Sequence, residues 1–176
     1  MTAVKLLQGV DHLPIVKSLF WQDETATGQF ALALAALPEL RLAYIELQGD
    51  LGAGKTTLVR HLLRALGAQG RIKSPTYAVV EPYELTDLKV WHFDFYRFSD
   101  PREWAEAGFR DIFASPGLKL AEWPEKAAGC VSLADLVIRL EVGEDDARQV
   151  NIKAQTALGA ALLHGLDAAS PEKVAS

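Results

Sequence analysis

The chain has 176 residues, 49% of them hydrophobic and 23% charged, with a net charge of −5, which suits one globular domain with a sizeable core. The acidic balance argues against a protein that grips nucleic acid by bulk electrostatics. One cysteine, Cys130, excludes an internal disulfide framework and a Cys-based zinc site; the four histidines are scattered, no apolar run reaches the length of a membrane span, and no signal-peptide pattern is present, so a cytoplasmic protein is expected.

In chain order, the first residues show no periodicity, so 1–15 is set apart as an extension before a domain over 16–166 and a flexible tail over 167–176. IVKSLFWQ, from Ile15, reads as a strand at a sheet edge. DETATGQFALALAALPEL reads as a helix capped by Asp23 or Thr25, with Phe30, Leu32, Leu34 and Ala35 as its apolar side and Pro38 as its stop. Leu42, Ala43, Ile45 and Leu47 then form a short buried strand.

Next comes GDLGAGKTT, whose spacing Gly49–x4–Gly54–Lys55–Thr56 is that of a phosphate-binding P-loop. The strand before it and the helical recurrence of Leu58, Val59, Leu62, Leu63 and Leu66 after it, ending at Gly67, provide the context that motif needs. Glycines let successive N–H groups turn toward an anion, and the helix N-terminus adds a favourable partial charge. Residues Gly49, Asp50, Leu51, Gly52, Ala53, Gly54, Lys55, Thr56 and Thr57 are therefore expected to line a nucleoside triphosphate, with Lys55 on the β- and γ-phosphates and the Thr56 hydroxyl on Mg²⁺. Arg60, Arg64, Arg71 and Lys73 form either a local basic patch or the solvated face of this helix and the following loop.

Beyond it, Ser74-Pro75-Thr76 is turn material, and residues 78–85 and 88–95 read as a hairpin around Thr86-Asp87. Asp100-Pro101-Arg102-Glu103 opens a helix that carries Trp104 and ends near Gly108. GLKLAEW is a further short strand, LADLVIRLEV and RQVNIKAQ flank GEDDA as a second hairpin, and a final helix covers about 157–166. Strand–helix units mixed with hairpins predict an α/β fold: a P-loop NTPase-like mixed β-sheet flanked by helices in a single domain.

Two apolar runs end in acids that could complete the site. VWHFD, ending in Asp94, has the form of a Walker B element, and LKLAE ends in Glu122; either acid could hold Mg²⁺ or orient water. The lesser alternative is that each merely caps the next loop or pairs with a lysine. Thr76 lies about where switch segments of P-loop proteins meet the γ-phosphate. Trp123 reads as a core or interface aromatic more readily than as a base-stacking platform, and Arg97 either stabilises transferred phosphate or pairs with Asp94 or Asp100, the structural role being favoured.

Taken together, GDLGAGKTTLVRHLLRALG, KSPTYAVVEPYE, HFDFYR, DPREWAEAGF and LAEWPEK resemble, in this order, the TsaE (YjeE) family of bacterial P-loop ATPases, over residues from about 16 to 165. The departures are modest: Trp104 stands where leucine is commoner, Ala121 precedes EWP in place of valine, and the first dozen residues exceed the usual start. The resemblance implies ATP and Mg²⁺ as cofactors, Glu122 and Asp94 as magnesium residues beside Thr56, and a switch-like Thr76. It further implies nucleotide contacts at Glu24 and Arg148. It also implies a partner: an ATPase, weak alone, that supports the TsaD–TsaB transferase complex in threonylcarbamoyl modification of tRNA adenosine and meets tRNA through that complex. Two rival readings are a small-molecule kinase, for which no arginine-rich lid is visible, and a nucleotide-dependent switch with little hydrolysis.

Overall fold

A computed structural model describes residues 15–169, so the expectations for 1–14 and for 170–176 lie outside the described residues. Seven strands form one sheet: β1 Ile15–Trp21, β2 Tyr44–Gln48, β3 Val80–Glu84, β4 Lys89–Asp94, β5 Leu118–Glu122, β6 Leu136–Val142 and β7 Arg148–Ala154. Their order is β1-β7-β6-β2-β5-β4-β3. The inner run β6-β2-β5-β4 is parallel, and antiparallel pairs close both sides: β1 on β7 on β6, and β3 on β4. This is the mixed single-domain sheet the strand–helix and hairpin pattern predicts, with β1 at an edge.

Strand alternation divides the core in two. Ile45, Leu47, Val90, Leu118, Leu120, Leu136 and Ile138 face an aliphatic layer. That layer packs against α1 Glu24–Ala35, α2 Lys55–Ala65 and α5 Ala157–Ala169. Tyr44, Trp91, Phe93 and Phe95 face the other way, into an aromatic layer with Trp104 and Phe109. Those two rings come from α3 Pro101–Glu106 and α4 Phe109–Ala114.

Local chemistry accounts for most boundaries. Asp23 caps α1 by accepting from the Ala26 N–H at 3.0 Å. The α1 core face is Thr27, Phe30, Ala31 and Leu34; Leu32, expected on the apolar side, is 62% exposed because it falls on the opposite side of the helix. Asp100 caps α3 through the Arg102 N–H and also binds the Arg102 guanidinium. The helix α4 was not anticipated: Gly108 in the left-handed region (φ 71) ends one short helix and starts another. Six residues carry too little periodicity to announce themselves, and α4 is held by the packing of Phe109 and Phe113 on Phe93. β3 starts at Val80 rather than 78, since Val79 has φ 65 and cannot extend the strand. Helix α5 continues to Ala169, three residues into the expected tail. Among the described residues no helix is long and apolar enough to cross a membrane.

Candidate functional site

The site lies at the C-terminal ends of the parallel strands, where β2 runs into α2. Gly49 (φ 140), Gly52 (φ 81) and Gly54 (φ 105) all occupy the backbone region that side chains avoid. At Gly49 the demand is also steric: a Cβ there would stand 2.3 Å from the Leu140 carbonyl oxygen on β6. The loop therefore nestles against a neighbouring strand while its N–H groups lead into the helix. Leu51, at 79% exposure, contributes backbone rather than side chain.

Lys55 is the first residue of α2 and only 4% exposed. Its Nζ donates to the Gly49 and Asp50 carbonyls at 2.6 and 2.9 Å and lies 4.0 Å from the centre of the Trp123 ring. Burial pushes its pKa below the ordinary lysine value, while Glu122, Glu125, Asp94 and Asp50 pull it back. The ammonium is thus held in place yet incompletely compensated, a poise suited to an anion.

The acids come from the sheet. The parallel register places Asp94 of β4 directly beside Glu122 of β5. By alternation from Val90 and Leu118, both side chains belong to the α2 face. They are 5% and 2% exposed. The Thr56 hydroxyl lies 2.9 Å from each Glu122 oxygen. Thr76 Oγ1 donates to Asp94 Oδ2 at 3.1 Å, and the Tyr96 N–H binds Asp94 Oδ1 at 3.0 Å. The backbone ties the same loop down: Val79 N–H donates to the Pro75 carbonyl at 2.7 Å, and Asp94 N–H to the Val79 carbonyl at 2.9 Å. Val79 and Trp123 (φ 56) both hold left-handed backbone that non-glycine residues avoid, and they flank this cluster on two sides. Such strain concentrates where geometry serves function rather than stability.

Glu24 and Arg148 meet at a cavity of about 500 Å³ shared with Ala53, Gly54, Thr57 and Asp145. Arg148 is not free to reach far: Nε donates to the Ala53 carbonyl at 2.8 Å and Nη1 to the Asp146 and Ala147 carbonyls at 2.6 and 2.9 Å. It braces the end of the P-loop against β7. Glu24 is mostly exposed and pairs with His61 at 2.9 Å. Arg97 departs from expectation, stacking on the Tyr77 ring at 4.5 Å instead of pairing with Asp94 or Asp100.

Sequence reasoning passed over His92 and undervalued Trp123. His92 Nε2 lies 2.8 Å from Glu122 Oε1 in a fully buried position. The available signal was period two within VWHFD, which sets His92 and Asp94 on one face of the strand. Trp123 packs against the aromatic layer as a core aromatic is expected to, but it also presents its ring to the Lys55 ammonium and touches Tyr96 at a centroid distance of 5.0 Å.

Known proteins resemble this chain in sequence and fold. The chain is 44% identical over 131 residues to the tRNA threonylcarbamoyladenosine biosynthesis protein TsaE of Haemophilus influenzae, covering 74% of this chain and 82% of that protein. It is 31% identical over 142 residues to the protein of the same name from Aquifex aeolicus, covering 80% and 98% respectively. The crystal structure of Bacillus subtilis YdiB superposes with a TM-score of 0.74 at 25% identity, covering 90% of this chain and 98% of YdiB. The family model described as threonylcarbamoyl adenosine biosynthesis protein TsaE matches residues 21–150. A match running from the end of β1 into β7, and so taking in the P-loop, the loop that reaches Asp94 and both strand-end acids, makes this chain a member of the TsaE family.

Proposed function

We propose that this chain takes part in tRNA threonylcarbamoyladenosine biosynthesis as a Mg²⁺-dependent ATP-binding and ATP-hydrolysing protein that supports a TsaD–TsaB transferase complex in the cytoplasm. The names of its relatives support the pathway. The observation that carries the chemistry is the Thr56–Glu122 contact, which brings a P-loop hydroxyl to a buried strand-end carboxylate at 2.9 Å.

That donor set fits magnesium. Among the described residues no three His, Cys, Asp or Glu side chains converge into an all-protein metal cage. Magnesium needs none, since it takes one or two hard protein oxygens and completes its shell with water and phosphate. Thr56 and Glu122 would hold it, with Asp94 beside them. When bound, it would neutralise charge on the β- and γ-phosphate oxygens.

The chain's own groups supply the rest. Loop N–H groups from Gly49 to Thr56 bind the phosphates, and Lys55 exchanges the Gly49 and Asp50 carbonyls for phosphate oxygen. Asp94, held at one oxygen by the Tyr96 N–H and at the other by Thr76, would orient the attacking water. Tyr77 (84% exposed) adjoins Thr76 and Tyr96 (45% exposed) follows Asp94 by two residues, so a protein docking on these rings would act directly on the catalytic side. This supports a turnover set by the partner.

The test is ATP turnover by the purified chain with Mg²⁺, alone and with reconstituted TsaD–TsaB and tRNA. Slow turnover that rises with the complex is the expected result. Tight ATP binding without turnover in either case would replace hydrolysis with a nucleotide switch, and phosphate transfer to a small acceptor would replace it with a kinase.

A further inference from the structure

His92 lies in the middle of β4, wholly buried, with Leu120 of β5 and Glu81 of β3 as its register partners. Its strand and sheet neighbours on the same face include Val90 and Leu120, side chains that fill such a position by packing alone. An imidazole is a poor substitute there. Its Nδ1 is buried without a hydrogen-bond partner, a penalty that folding alone does not reward. What the residue gains is the 2.8 Å contact from Nε2 to Glu122 Oε1.

We infer that His92 is a positioning residue whose Nε2–H fixes the Glu122 carboxylate in the orientation that faces Thr56. The inference rests on the proposed Mg²⁺·ATP site. The tautomer follows from the two nitrogens. A proton on Nδ1 would bury an unpaired N–H and turn the Nε2 lone pair against carboxylate lone pairs; a proton on Nε2 leaves only a bare lone pair at Nδ1.

Glu122 needs a second donor for a geometric reason. The Thr56 hydroxyl sits equally close to both carboxylate oxygens but has one hydrogen to give. By itself it leaves the carboxylate free to rotate about its last bond. His92 binds Oε1 from the interior of the sheet and stops that rotation, so the remaining lone pairs stay aimed at the mouth of the P-loop. Partners of this kind behind a metal-binding carboxylate change metal affinity by about 10- to 100-fold.

The experiment compares His92→Leu, which removes the donor, with His92→Gln, whose side-chain amide N–H can take the place of Nε2–H. Calorimetric titration with ADP, in EDTA and across a Mg²⁺ series, reads the nucleotide and metal dependences separately. His92→Leu should raise the Mg²⁺ concentration giving half its effect on ADP binding by about tenfold. ADP affinity in EDTA should stay unchanged, and His92→Gln should recover most of the loss. In a Glu122→Gln background, His92→Leu should add nothing further. In the nucleotide-free chain, ¹⁵N-imidazole NMR should show His92 as the Nε2–H tautomer, a readout that stands even if His92→Leu does not fold. An Nδ1–H tautomer, a Mg²⁺ dependence untouched by His92→Leu, or a His92→Gln variant as impaired as the leucine would each overturn the inference. If the wild-type chain itself binds ADP with no Mg²⁺ dependence, the site reading fails and this inference falls with it; a Mg²⁺-dependent wild type beside a silent His92→Leu removes only the role of His92.

Discussion

From Gly49 to Thr57 one short segment forms one wall of the candidate site, whereas the facing wall needs the 74–79 loop, β4 and β5 to deliver Thr76, His92, Asp94 and Glu122. The first wall works through backbone and is limited by how closely that backbone can approach β6 at Leu140. The second works through side chains and is limited by the buried hydrogen bonds that hold its acids. The difference teaches where each is fragile: the loop should break through added volume, the acid wall through a lost acceptor.

The sharpest way to break the comparison is a methyl group on the loop. Gly49→Ala would place its Cβ 2.3 Å from the Leu140 carbonyl oxygen at φ +140. It should cost about 4 kcal/mol or more in urea unfolding and abolish nucleotide binding. Gly52→Ala, also at positive φ but with open space around it, should cost only about 1–2 kcal/mol. Equal costs at the two positions would mean that the approach to β6 is not what constrains the loop.

Lys55→Met tests the charged side chain of the loop wall. Turnover should fall about a hundredfold, equivalent to about 2.7 kcal/mol. Circular dichroism should stay native-like, because burial already disfavours this ammonium. Glu122→Ala addresses the other wall. It strips the acceptor from Thr56 and from His92 Nε2 inside the protein, so a stability loss of about 2 kcal/mol should accompany lost Mg²⁺ dependence. A fully stable Glu122→Ala would show that the acid wall does not rely on that acceptor.

The smallest expected effect sharpens the same point away from the site. Glu46 on β2 accepts from the Tyr44 hydroxyl at 3.1 Å, and burial raises its pKa above the ordinary value, with Glu125 adding to the shift. In the interval between the unfolded and folded pKa values, the folded chain keeps a proton that the unfolded chain has lost. Stability therefore falls as pH rises through that interval, and the penalty is fully present above it. Glu46→Gln should remove this dependence, so its melting temperature should gain on the wild type between pH 4 and pH 7 (about 1 °C or more). A constant difference across that range would contradict the direction of the shift.

The glycine-rich turn between β2 and α2, β1 at the sheet edge, both hairpins and the Asp caps of α1 and α3 were all legible in the chain itself. Each depends on residues within a few positions of one another: glycines where φ turns positive, apolar periodicity on either side, and Asp, Pro and Gly at boundaries. Spacing likewise put Asp94 and Glu122 at strand ends, but only the parallel register of β4 on β5 set them side by side and turned both toward α2. The exposure of Leu32, the existence of α4 and the turning of Arg97 onto Tyr77 were decided by packing between distant segments. So was the use of Arg148, whose guanidinium braces loop carbonyls inside the cavity where a nucleotide contact was expected. His92 and Trp123 make the lesson plain. Local sequence determines what the backbone can do over a few residues, whereas the role of a buried polar or aromatic side chain is set by the partner it meets, and here those partners lie 30 residues away at Glu122 and 68 away at Lys55.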